Sequence, residues 1–218
     1  TELGSGWTVR AIGGDPSGRV PGTHPAEVPG CVHTDLMAAG VIPDPCLDGN
    51  EAVLTWMYEI DWRYATRLNA DPLELRPPGR GERVDLVFDG IDTVGTVRLR
   101  QTELGRTFNM HRSYRFDISS YVDGGQLELE VDLHSATGYA EAERQRLGDR
   151  PGPFPAPYNF IRKMACSFGW DWGPDLRTAG LWKPVWLERW SVSRIAQVVP
   201  LVTLDDRGTG RVELRIEL

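Results

Sequence analysis

Along most of the chain apolar and polar residues alternate with a period of two, the mark of strands that bury one face. Trp56, Tyr58, Ile60, Trp62 and Tyr64 alternate with Met57, Glu59, Asp61 and Arg63, which predicts one strand with five large side chains on a single face. Leu127, Leu129, Val131 and Leu133 alternate in the same way with Glu128, Glu130 and Asp132, and Val97 and Leu99 with Arg98 and Arg100. Residues 84–88 read as a further short strand, closed by Asp89-Gly90. Turn residues separate these runs: Gly13-Gly14-Asp15-Pro16, Asp48-Gly49-Asn50, Pro77-Pro78-Gly79 and Asp123-Gly124-Gly125. Many short alternating strands joined by polar turns predict an all-β, antiparallel sandwich.

Two helices interrupt the pattern. Thr34 is placed to cap a short one through residues 35–39, ended by Gly40. Residues 139–147 are rich in helix formers and stop at Gly148. The run Pro151-Gly152-Pro153-Phe154-Pro155-Ala156-Pro157 can neither continue that helix nor join a central strand, so it reads as an ordered loop. Near the end Val212, Leu214, Ile216 and Leu218 alternate with Arg211, Glu213, Arg215 and Glu217. That strand has no partner sheet in the residues around it, which predicts a second, truncated β module and a boundary near residues 191–197.

The 218 residues carry 24 Lys and Arg against 31 Asp and Glu, a net charge of −7. An acidic balance disfavours a phosphate-tracking surface, so nucleic acid is not expected as a partner. No window approaches the roughly 18 consecutive apolar residues of a membrane span. The residues Thr1-Glu2-Leu3-Gly4 show no basic-then-apolar leader pattern. Cys31, Cys46 and Cys166 match neither a disulfide framework nor a metal site, and are expected as buried free thiols in a reducing, bacterial cytoplasmic setting. His24, His33, His111 and His134 are equally scattered, and no metal or other cofactor is expected. His33 is read as a hydrogen-bonded histidine beside the helix cap. Glu59 and Asp61 are read as the charged face of their strand.

Five of the eight tryptophans (Trp170, Trp172, Trp182, Trp186 and Trp190) fall within 21 residues. Indole faces stack on the C–H face of a pyranose, and a carboxylate accepts paired hydrogen bonds from vicinal hydroxyls. Trp170-Asp171-Trp172, bracketed by Gly169 and Gly173-Pro174, therefore suits a sugar-binding loop of fixed shape. It suits equally a pair of core tryptophans around an Asx-turn. Trp182, Trp186 and Trp190 are expected to pack in the core or between domains.

Phe168-Gly169-Trp170-Asp171-Trp172-Gly173-Pro174, followed by Gly180-Leu181-Trp182-Lys183-Pro184-Val185, resembles a signature of the β-mannosidases of glycoside hydrolase family 2. Val28-Pro29-Gly30-Cys31-Val32-His33-Thr34-Asp35-Leu36, Ile42-Pro43-Asp44-Pro45, Gly90-Ile91-Asp92-Thr93-Val94 and Asn109-Met110-His111-Arg112-Ser113-Tyr114 resemble further motifs of that family, in the same order. The family's usual Leu-Asn-Gly turn is Leu99-Arg100-Gln101 here. The resemblance implies a jelly-roll sandwich of galactose-binding-domain type over residues 1–192, followed by the first strands of an immunoglobulin-like domain over residues 193–218. It also implies a parent hydrolase that removes β-linked mannose from non-reducing ends, with both catalytic glutamates on a barrel outside these residues. No catalytic residue is therefore expected in this chain. Its expected contribution is substrate binding by Asp171, with Trp170 and Trp172 walling the pocket or holding the loop, a β-mannoside or manno-oligosaccharide as ligand, and packing against downstream domains. An autonomous carbohydrate-binding module and a purely structural packing module are the alternatives.

Overall fold

In the computed structural model, which describes residues 1–14, 18–68, 75–153 and 155–218, the alternating runs form two facing antiparallel sheets. The strands are β1 (Trp7–Gly13), β2 (His24–Ala26), β3 (Asp61–Leu68), β4 (Glu82–Phe88), β5 (Val94–Leu99), β6 (Thr102–Phe108), β7 (Tyr114–Asp117), β8 (Leu127–Leu133), β9 (Val185–Ser191), β10 (Gln197–Leu204) and β11 (Gly210–Glu217). Six of them make a sheet in the order β2-β1-β3-β8-β5-β6, and three more make one in the order β7-β4-β9. This is a β-sandwich of jelly-roll type. The anticipated turn at Asp15-Pro16 and Phe154 of the proline-rich run lie outside the described residues.

Register explains which positions are buried. Trp62 faces Leu133, Tyr64 faces Val131, and Leu68 faces Leu127 across β3 and β8, all turned inward. The alternate pairs face outward, and there Arg63 donates to Asp132 and Glu130. Burying each large apolar side chain contributes about 1.5–3 kcal/mol, and Trp62, Tyr64, Leu86 and Phe88 are essentially inaccessible. In the small sheet even Asp85 is covered, by hydrogen bonds from Arg115 at 2.8 Å and from the Trp190 indole at 2.7 Å.

Several expectations are corrected. The long strand from Trp56 begins only at Asp61, because residues Thr55–Glu59 form a 3-10 turn. Tertiary bonds hold that turn: the Tyr58 hydroxyl donates to the Asp175 carbonyl, and the Tyr58 carbonyl accepts from Ser135 at 2.5 Å. Glu59 therefore sits on a turn, and Asp61 accepts from the Ser135 backbone at 2.7 Å. Helix α1 (Val32–Ala38) starts three residues early, with Cys31 as its extended N-cap. Thr34 closes it by accepting from the Cys31 amide and donating to the Cys31 carbonyl. A short helix α2 (Asn50–Val53) occupies part of the anticipated turn. Helix α3 (Ala136–Leu147) is capped by the Ser135 hydroxyl and ends, as expected, at Gly148, whose φ is +81°.

The hairpin between β5 and β6 turns on Arg100 and Gln101, both with positive φ (47° and 67°), the geometry of a tight two-residue turn. Arg100 grips Asp123 through two bonds of 2.8 Å. The cysteines are free, but Cys46 is exposed and the other two are half-buried, so none is a core thiol. Strands β10 and β11 pair only with each other, and their side chains are largely exposed on both faces. Among the described residues no helix is long and apolar enough to cross a membrane.

Candidate functional site

Between Tyr158 and Trp182 the chain holds only two short 3-10 turns, Tyr158–Phe160 and Ala165–Phe168, and the rest is irregular but bonded at several points. It packs on α3 through a small core of Ala140, Phe160, Ile161 and Phe168. Lys163, with no exposed side-chain surface, donates through Nζ to Asp92, to the Thr178 carbonyl at 3.0 Å and to the Thr178 hydroxyl at 3.1 Å. Thr178 in turn donates to Asp92 at 2.8 Å, and Thr93 donates to the other Asp92 oxygen. A two-way backbone bridge joins Asp92 and Gly180. Gly180 has to be glycine, since a Cβ there would stand 2.4 Å from the Gly30 carbonyl.

From this base a short projection rises. Gly169, at φ +87°, turns the chain outward. Trp170 and Gly173 then bond to each other through both backbone amides, at 3.0 and 3.3 Å, leaving Asp171 and Trp172 as the two residues of the tip. Trp172 is 72% exposed and Trp170 36%. Asp171 is exposed too, and its carboxylate has no partner among the described residues. Trp170 and Asp171 line an open depression with Phe168, Asp175 and Arg177, whereas Trp172 does not line it.

An anchor lies under the tip. The Asp175 amide donates to Glu51 at 2.8 Å, and its carbonyl accepts from Tyr58. Its carboxylate receives a two-pronged pair of bonds from Arg177, both 3.1 Å. Burial first, and then the negative charge of Asp175, push the Tyr58 hydroxyl well above the usual tyrosine range, so it stays a proton donor.

Trp182, Trp186 and Trp190 lie half-buried at the surface rather than in the core, each with its indole N–H bonded. The indole N–H of Trp182 donates to the Met110 carbonyl at 3.1 Å, and that of Trp186 to Asp89 at 2.7 Å. His33 overturns its expectation: it is buried, and neither ring nitrogen has a hydrogen-bond partner. Burial, helped by the charge of Lys163, lowers its pKa to about 4. Among the described residues no group of His, Cys, Asp and Glu is arranged to hold a metal ion. The Lys163–Asp92 pair and the Arg177–Asp175 anchor escaped sequence reasoning. For Lys163 a signal existed, because only it and Lys183 are lysines in an arginine-rich chain.

Comparison with known proteins is consistent across sequence and structure. The family model described as glycosyl hydrolase 2 galactose-binding domain-like matches residues 7–183. Beta-mannosidase of Capra hircus is 39% identical over 182 residues, covering 78% of this chain and 20% of its own length. Beta-mannosidase of Mus musculus is 34% identical over 191 residues, covering 84% and 21%. The crystal structure of beta-D-mannosidase from Dictyoglomus thermophilum superposes with a TM-score of 0.83 at 32% identity, over 99% of this chain and 25% of that one. An exo-chitosanase from Amycolatopsis orientalis shares the fold at 17% identity, with a TM-score of 0.67. The chain spans about a fifth of the length of the curated relatives it matches.

Proposed function

The chain belongs to the galactose-binding domain-like family of glycosyl hydrolase 2, and from that membership we propose that it is the non-catalytic sandwich of a retaining, β-mannosidase-like hydrolase. In this reading residues 1–192 form the sugar-binding module, residues 193–218 begin an immunoglobulin-like one, and a downstream barrel supplies the two catalytic carboxylates. Such carboxylates stand about 5–5.5 Å apart in retaining enzymes. The ligand is a non-reducing-end β-D-mannoside. Asp171 accepts hydrogen bonds from ring hydroxyls that do not react, while Trp170 and Trp172 wall the pocket or hold the loop. Contacts of this kind orient the sugar and raise the rate where they tighten in the transition state.

The observation that carries the reading is the carboxylate of Asp171, exposed on a hydrogen-bonded two-residue tip and unpartnered within the fold, while Asp175 four residues later is fully engaged. A packing role would have supplied Asp171 with donors. A charge-assisted hydrogen bond is worth about 1.5–3 kcal/mol, so Asp171→Ala in the complete polypeptide lowers kcat/KM for an aryl β-D-mannoside roughly ten- to a hundred-fold, with an unchanged melting temperature. Unaltered kinetics would remove the proposal. The exposure of Trp172 favours an autonomous carbohydrate-binding module as second reading, and mannose titration separates the two. Saturable binding by residues 1–218 alone supports the second, because the first leaves half of the pocket on the barrel.

A further inference from the structure

The tip is two residues long, yet the anchor beneath it is bonded to three distant parts of the chain, at Glu51, Tyr58 and Thr137, and Arg177 touches two of them. We infer that Arg177 is a positioning residue for the Asp171 carboxylate, an inference that rests on the reading of Asp171 as a glycoside contact. The Arg177 guanidinium lies 4.5 Å from the Tyr58 ring centroid and 5.1 Å from that of Phe168. It reaches Thr137 at the start of α3 with a 3.0 Å bond. Its fork holds both oxygens of Asp175, and a Cβ on Gly169 would stand only 3.2 Å from the Asp175 Cβ. Asp175 therefore lies directly under the residue where the tip leaves the fold. A planar, permanently charged fork can stack on rings, clamp a carboxylate and reach a hydroxyl at once, which an ammonium group on a flexible stem does poorly. Arg177 stays mostly buried and needs no contact with the sugar.

Two measurements test this. In residues 1–218, the backbone order parameter at Asp171 falls from about 0.85 to below about 0.6 in Arg177→Met and recovers only in part in Arg177→Lys, which keeps the charge opposite Asp175 but not the fork. The amide spectrum of β3 and β8 reports that the fold is intact. In the complete polypeptide, Arg177→Met lowers kcat/KM about tenfold, Arg177→Lys restores it to within about threefold, and Arg177→Met adds nothing once Asp171 is Ala, as expected for coupled residues. An unchanged order parameter in folded Arg177→Met, or kinetic losses that multiply, overturns the role of Arg177. An inert Asp171→Ala with a loosened tip in Arg177→Met instead overturns the glycoside contact and leaves the anchor standing. If Arg177→Met does not fold, Thr137→Val removes one bond at the edge of the cluster, and the same comparison is read at about a threefold smaller effect.

Discussion

Replacing Lys163 with methionine keeps the length of the side chain and removes its charge, which strands Asp92 in the interior. The lysine side chain has no exposed surface and that of Asp92 only 3%. Removing one member of a buried ion pair costs about 3–5 kcal/mol, since the remaining charge is left without its counter-ion. Two features set the value here. The Thr178 and Thr93 hydroxyls still donate to Asp92, which moderates the loss. The Thr178 carbonyl loses its lysine donor, which adds roughly 1 kcal/mol. A net loss of about 3–4 kcal/mol follows, and at about 2–4 °C per kcal/mol for a domain of this size the melting temperature drops by about 6–16 °C. Circular dichroism melts and urea titrations of residues 1–218 read it directly. Adding Asp92→Asn to the variant neutralises the stranded charge and recovers at least half of the loss. A drop under 2 °C, or a double variant less stable than Lys163→Met, would refute the assignment of this pair as the clamp of the irregular segment.

Two other perturbations follow from the same fold. His33 is neutral when folded, with its pKa held near 4, against about 6.5 when unfolded, so the unfolded chain takes up a proton that the fold refuses as pH drops from 6.5 to 4. Its stability contribution is therefore complete above pH 6.5 and is lost toward pH 4; at pH 4.5 the loss is about 2–3 kcal/mol, and His33→Leu flattens this part of the urea-stability profile. Gln101→Gly relieves a left-handed conformation at an exposed turn and raises stability by about 0.5–1 kcal/mol, seen as a higher urea midpoint, because the β5–β6 turn needs positive φ where glycine alone is unstrained.

What the sequence disclosed follows from what a local pattern can encode. The alternation of Leu127 to Leu133 names the buried face of β8 correctly, because strand geometry converts spacing into side. It does not name the neighbour: that β3 lies beside β8, and β4 between β7 and β9, depends on contacts across tens of residues. Trp56 and Tyr58 carry the same alternation as Trp62 and Tyr64, yet bonds to Asp175 and Ser135 fold them into a 3-10 turn, a preference set by residues far away. Trp170-Asp171-Trp172 was conspicuous by composition, and its brackets Gly169 and Gly173 suggested a fixed loop. Its exposure was not legible, and neither was the anchor, whose members run from Glu51 to Arg177 without any common motif. For His33 the sequence shows a histidine next to a cap, whereas only packing reveals that both its nitrogens are sealed off.

The mutual bonds of Trp170 and Gly173 have a thermodynamic corollary. Fixing one residue of backbone costs about 1–2 kcal/mol of chain entropy, and across this tip that freedom is surrendered when the protein folds. In the proposed role of Asp171, an arriving sugar meets main chain already in place, so only the carboxylate's own side-chain torsions are left to order on contact.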